Sequence, residues 1–335
     1  MTAFAVARTA AGTLVGTRPP HPERTALVEA RGALLHWDVL DRRPHPAAEV
    51  FDARAAADWL WEVYGPDAAA AILGDATAVD TEWTSPVLDA ARDLAHLRWA
   101  EAWWPSSHAA AVPALPGGLL RAEIAWRTSG TEHLLDDEDA VERALAGVDL
   151  GSLAAFEAVP EAAALRAALD DLADDYGTAL SERAPAREDY ALAAGGGPAG
   201  GFTLGSGATP VDWGRVPQGL VDAAAEATWQ LVDRDGALVI AVTVPAAPDT
   251  VRGPLSARVG GAAVDLRFDP PSNTFVGETP APQGFLMLPA STRVVELRAP
   301  GFASEVPPDR RDAIVAFART RPTAPDATLT ERSAA

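Results

Sequence analysis

The chain contains no cysteine and no lysine. Without thiols it can form no disulfide, thiolate nucleophile or Cys-ligated zinc or iron–sulfur site. Without an ε-amine it has no Schiff-base chemistry, no pyridoxal-phosphate anchor and no Walker A lysine. All 27 basic residues are therefore arginine; they stand against 47 Asp and Glu, for a formal charge of −20. Such a surface repels nucleic-acid phosphates and anionic membranes, so neither is expected as a partner. Solubility, or a protein partner with a basic surface, fits the charge better. Arginine, alanine, glycine and proline in excess are the composition of a GC-rich bacterial genome. Long apolar runs are missing too, and no window approaches the roughly 20 residues of a membrane span. The opening MTAFAVARTAAGTLVG has neither a basic n-region nor a sustained apolar core, so no signal peptide is expected and a cytoplasmic location follows.

What is present reads as a folded, two-domain chain: 335 residues, 48% apolar and 22% charged. Phe4–Val15 and Ala26–Trp37, the second broken by Arg31-Gly32, predict a small β element. Ala47–Tyr64 has a helical period, closed by Gly65-Pro66. Further helices are expected over DAAAAILG, from Ser85-Pro86 to Trp104, from the acidic Asp136–Asp139 through Ala146, and from Pro160 to Tyr176. Residues 1–190 thus read as a mostly α-helical domain with a β-hairpin at its start, and 191–210 as a Gly/Ala/Pro linker. Residues 211–306 read as a β-sandwich-like domain of short strands and frequent turns. Its strands are expected in a hairpin about Arg234-Asp235-Gly236 and at Leu255–Val259, Ala263–Phe268, Thr274–Gly277, Phe285–Leu288 and Arg293–Leu297. Leu238–Val244, apolar at nearly every position, predicts a strand covered on both faces. A helix over 307–321 and a disordered tail over 322–335 complete an α+β, multidomain fold.

Local motifs assign no catalytic residue, no metal site and no cofactor. GGGPAG at Gly195–Gly200 matches G-x-G-x-x-G but contains Pro198 and lacks the flanking strand and helix of a dinucleotide site. DDLADD at Asp170–Asp175 resembles, over five residues, the aspartate-rich motif of class I terpene synthases, which implies Mg²⁺ held against a diphosphate. The second metal motif of those enzymes is missing, and a helical projection turns Asp170 and Asp174 away from the Leu165–Leu169–Leu172 stripe. The stretch therefore reads as a solvated acidic face. His21, His36, His45, His96, His108 and His133 lack the spacing that sets two ligands on one helix face. Neither Ser106-Ser107-His108 nor LGSGA has a serine hydrolase layout.

The densest aromatic patch, Ser85–Arg127, holds Trp99, Trp103, Trp104 and Trp126. Projected as a helix, Val87–Trp104 gathers Leu88, Ala91, Leu94, Ala95 and Trp99 on one face, with Arg98 near its centre and Glu101 at its edge. A buried guanidinium needs a carboxylate, a ligand anion or a route back to water; Glu101 or Glu123 could supply the carboxylate. Arg98, Glu101, Trp103, Trp104, Glu123 and Arg127 are accordingly the candidate ligand- or partner-binding residues. Two functions fit them. One is a non-enzymatic binding, adaptor or scaffold subunit of a multi-protein bacterial assembly. The other is an enzyme acting on a small anionic or sugar-like substrate in a Trp/Arg/Glu pocket. In the β domain, Trp213 and Trp229 read as packing residues rather than as a carbohydrate platform.

Overall fold

A computed structural model describes residues 2–41, 43–107, 110–181, 202–211, 215–217, 219–222, 225–234, 236–247, 253–300, 302 and 308–334. GGGPAG, His108, Trp213 and the first part of the expected linker lie outside the described residues. The chain divides into two compact units, one of Met1–Glu101, Leu115–Ala186 and Pro322–Ala335, the other of Ala102–Ala114 and Arg187–Arg321.

The first unit is built on a sheet and is not the mostly helical domain expected. Its strands are β1 (Thr2–Thr9), β2 (Gly12–Val15), β3 (Thr25–Ala30), β4 (Ala33–Asp38), β5 (Ala47–Val50) and β6 (Ala78–Thr81). They form one antiparallel sheet in the order β3-β4-β5-β2-β1-β6. Register places Val6, Val15, Ala48, Leu35 and Val28 side by side on one face, each at most 6% exposed. The segment Ala47–Tyr64, read as a single helix, splits. Its first four residues join the sheet as β5, where Ala48 and Val50 alternate inward. Only then does Asp52 start a helix, its Oδ1 accepting from the backbone N–H groups of Arg54 and Ala55. Alanine is the best helix former, so its abundance hid a period-2 alternation that the sheet's core imposes.

The helices of this unit are α1 (Ala53–Ala56), α2 (Leu60–Tyr64), α3 (Pro66–Leu73), α4 (Pro86–Trp103, whose last two residues count with the second unit), α5 (Gly117–Ser129), α6 (Ala140–Ala146), α7 (Leu150–Leu153) and α8 (Pro160–Asp175). Ser85 opens α4 as its composition predicts, its hydroxyl accepting from Leu88 N–H and donating to Glu62 O. α5 to α8 share a core of Leu119, Ala122, Val141, Leu145, Leu165 and Leu169.

The second unit is one curled sheet rather than a sandwich of two. It comprises β7 (Phe202–Pro210), β8 (Glu226–Arg234), β9 (Ala237–Pro245), β10 (Leu255–Val259), β11 (Ala262–Asp269), β12 (Thr274–Pro280) and β13 (Val295–Arg298), followed by helix α9 (Pro308–Thr320). The order is β13-β10-β11-β12-β9-β8-β7, antiparallel throughout. Curling brings the first and last strands together, and Val295 N–H donates to Thr209 Oγ1 at 3.0 Å. One face carries the buried residues Trp229, Leu231, Ile240, Val242, Val264 and Phe275. β9 accordingly alternates instead of being covered twice: Ile240, Val242 and Val244 are buried, Leu238 is exposed. Phe285–Leu288, expected as a strand, is a 3-10 turn.

The end of the expected linker is itself β7. Its glycines provide room rather than slack: a Cβ on Gly207 would lie 2.5 Å from Trp229 Nε1. Trp229 is 2% exposed and packs edge-on against Phe285, with ring centroids 5.1 Å apart.

The last helix, α10 (Leu329–Arg332), belongs to the first unit, and with it residues 322–334 form an ordered segment in place of a disordered tail. Thr328 and Glu331 form a reciprocal capping box. Leu329 joins the α5–α8 core.

Gly207→Ala tests the seating of Trp229. In an ordinary strand the change is neutral or stabilising, whereas here overpacking is expected to cost about 1–3 kcal/mol. A lowered urea midpoint is the expected result, with the exposed neighbour Ser206→Ala within about 0.5 kcal/mol of the parent.

Candidate functional site

Of the six residues singled out from the sequence, Arg98, Glu101, Glu123 and Arg127 lie in the first unit. Trp103 and Trp104 belong to the second unit. Trp104 is 1% exposed and donates its indole N–H to Pro113 O at 2.9 Å, while Trp103 packs on Phe302 with centroids 5.4 Å apart. Glu123 is 7% exposed, and its two carboxylate oxygens accept from the backbone N–H groups of Leu329 (3.1 Å) and Thr330 (2.6 Å). It is a helix cap in trans and not a partner for Arg98. Arg127 pairs with Asp93 at 3.1 Å.

Arg98 is half-buried, because α4 buries Leu88, Ala91, Leu94, Leu97, Trp99 and Ala100 around most of its circumference. Desolvation lowers its pKa, and the carboxylates of Glu29, Glu101 and Asp137 oppose the shift. Arg98 and Glu101 are thus the pair from the sequence reading that stays in one electrostatic neighbourhood, with Glu29 and Asp137 added to it.

The geometry that can hold a partner lies on the other side of Arg127. A groove of about 620 Å³ runs between α4, α5 and α8. Val87 and Ala90 form one wall, Trp126 and Arg127 the second, and Ala168, Asp171, Leu172, Asp175 and Tyr176 the third. Trp126 is 41% exposed, so its indole is offered to the groove rather than spent in the core. Asp171 and Asp175, one turn apart, share a face with Leu172 and Tyr176. No arginine lies within ion-pair distance of either carboxylate among the described residues. Arg127 adds little opposing charge, since Asp93 neutralises it. Burial raises the Asp93 pKa, and Arg127, Arg92 and His96 oppose that shift. Tyr176 hydrogen-bonds Glu132, which together with burial pushes its phenol up to about 12, so it is a neutral donor at neutral pH.

An aromatic face beside two carboxylates binds a cation on an apolar stem, by the ring quadrupole and by Coulomb attraction together. Trp126 belongs to the aromatic patch of the sequence, and Asp171 and Asp175 belong to DDLADD, where the Leu165–Leu169–Leu172 stripe singles out Asp170 and Asp174 instead. Extending the helical projection of α8 to Ala168–Leu172–Tyr176 places Asp171 and Asp175 beside that second stripe. Among the described residues no cluster of three or more His, Asp or Glu is spaced to hold a metal ion, and no helix is long and apolar enough to cross a membrane.

Comparison with known protein families, with characterised proteins and with solved structures finds no match to this chain.

The Asp93–Arg127 pair has a pH signature. Arg127→Ala removes an opposing cation, so the Asp93 pKa, already above the usual 3.8, rises further. A carboxyl whose folded pKa is raised loses stability as pH climbs through that pKa. The variant's stability deficit should therefore be smallest at acid pH and open toward neutrality, to about 1 kcal/mol at low salt. Carboxyl-detected NMR titration with urea melts at each pH checks both statements; a deficit that shrinks with rising pH contradicts the pairing.

Proposed function

We propose that the protein is a non-enzymatic binding or adaptor subunit that holds a basic, amphipathic segment of a protein partner in the α4–α5–α8 groove. The observation that carries this reading is the half-exposed Trp126 set opposite Asp171 and Asp175 in a groove with apolar walls. Charge complementarity selects the occupant: a chain of net charge −20 whose groove bears two carboxylates with no arginine partner among the described residues favours lysine or arginine side chains with apolar neighbours. Tryptophan in the wall of a groove is a common energetic anchor, and an exposed aromatic rimmed by charge marks interaction surfaces. The alternative, an enzyme with a Trp/Arg/Glu pocket, loses Glu123 to its capping bonds and keeps Glu101 as the acid near Arg98.

Titration with a synthetic Leu/Arg amphipathic helix, with a Leu/Glu helix as control, tests the proposal by fluorescence anisotropy. Saturable binding of the basic peptide alone is expected, weakened by salt. Trp126→Ala should cost about 2 kcal/mol, roughly thirtyfold in affinity. Asp171→Asn with Asp175→Asn should weaken binding, whereas Asp170→Asn with Asp174→Asn, the same charge change on the outer face of α8, should have a much smaller effect. Equal loss from the two double variants would mean non-specific attraction to an acidic protein and would overturn the site.

A further inference from the structure

We propose that α10 is a clamp that sets the shape of the α4–α5–α8 groove, so that docking of α10 and occupancy of the groove reinforce each other. The inference rests on the groove reading and names how that site is regulated. α10 is tied to all three helices. Glu123 of α5 accepts the backbone N–H groups of Leu329 and Thr330. His96 of α4 lies 2.8 Å from Glu331. Leu329 joins the core that α5 and α8 share through Leu119, Ala122, Leu165 and Leu169.

The same core backs the groove. Leu172 of α8 and Tyr176 at its end pack against that cluster and also line the groove. On α5, Trp126 stands one turn beyond Glu123. On α4, Asp93 stands one turn before His96 and pairs with the groove's Arg127 at 3.1 Å. Every contact that holds α10 is therefore one helical turn, or one packing layer, from a residue of the groove or from that residue's partner.

Coupling between two places needs an element with two states, each favoured differently by the ligand. α10 is such an element. A helix of four residues does not persist on its own, so α10 is helical only while docked. Docking also carries a built-in penalty: Thr330 is fully buried, and its Oγ1 has no hydrogen-bond partner among the described residues. Release of α10 takes Leu329 out of the core and opens a void there. Helices around such a void shift to reduce it. A shift of α5 against α8 moves Trp126 relative to Asp171 and Asp175. A ligand that needs all three groups together binds the docked state better, and by linkage it stabilises that state.

Amide hydrogen exchange of the full chain, read by NMR with and without the Leu/Arg helix, tests the clamp. Peptide at about 100 times its Kd is expected to slow exchange at Leu329 and Thr330 about tenfold to a hundredfold, with the β1–β2 turn unchanged. An α10 with a merely structural role exchanges at one rate in both samples. Leu329→Gln, which sets an amide in an apolar core, should release α10 and weaken peptide binding about tenfold. It should also shift the indole N–H resonance of Trp126 but not that of Trp61. If that variant does not fold, Glu123→Gln replaces it: α10 exchanges about tenfold faster than in the parent and is still slowed by the peptide. Peptide that binds without changing α10 exchange, or that binds as tightly once α10 is released, overturns the clamp and leaves the groove reading standing. Failure of the peptide to bind overturns the groove reading instead. The clamp is then judged on Trp126 alone, and an indole resonance unmoved by release of α10 overturns it too.

Discussion

The first unit depends on a buried carboxylate that caps a helix more than two hundred residues away in the chain. Glu123 on α5 accepts two backbone N–H groups at the start of α10, where the helix N-terminus favours negative charge. Charge-assisted bonds of this kind contribute about 1.5–3 kcal/mol each, more than neutral ones. The bond network continues outward from there. Glu331 completes the capping box and bonds His96 of α4 at 2.8 Å. His96 stacks on Trp99, and Trp99 donates to Glu23 O just before β3. One chain of polar contacts thus runs from the last helix through α4 to the sheet. α5, held by Glu123, presents Trp126 and Arg127 to the groove one turn further along the helix.

Electrostatics separates the groove from the smaller hollow lined by His36 and His45. The groove is open and largely apolar, and its one arginine, Arg127, is paired with Asp93, which suits a flexible cationic segment whose side chains can reach two carboxylates. The hollow beside β1, β4 and β5 is smaller, and the arginines around it are paired with acids. Pairing decides the difference. Arg18, Arg24 and Arg43 each meet an acid, whereas Asp171 and Asp175 meet no arginine among the described residues.

Helix ends were the most legible part of the fold, because caps are local chemistry. Ser85-Pro86, Gly65-Pro66 and Pro160 all mark boundaries that the structure keeps. The hairpin turn at Arg31-Gly32 is equally local, with Gly32 at φ 76°. What could not be read was long-range. Ala47–Val50 carries helix propensity but pairs with β2 and β4, and pairing wins because it buries Ala48 and Val50. The glycines of β7 looked like slack until Trp229 was seen lying on them. For the site, the projection of α4 rightly placed Arg98 against a buried face, yet Glu123 had a competitor for its oxygens that no spacing announces. The capping box Thr328–Glu331 was visible in principle, and would have argued against a disordered tail.

The absence of lysine gives these observations a common cause. A guanidinium presents a rigid fork that fits carboxylates, so a chain whose only cations are arginines tends to consume them in specific pairs. Arg143 with Asp137 and Arg234 with Glu278 repeat on the surface what Arg24 and Asp38 do beside the hollow. With 47 acids and 27 arginines, 47 − 27 = 20 carboxylates are left over even if every arginine pairs once. That surplus must be solvated, and α8 shows where part of it goes: Asp170, Asp171, Asp174 and Asp175 are all exposed. Simple counterions can balance such charge at any exposed carboxylate, with no preference among them. Of these four, Asp171 and Asp175 line the groove with the half-exposed indole of Trp126 and an apolar wall, the combination that would favour an organic cation on an apolar stem over dissolved salt.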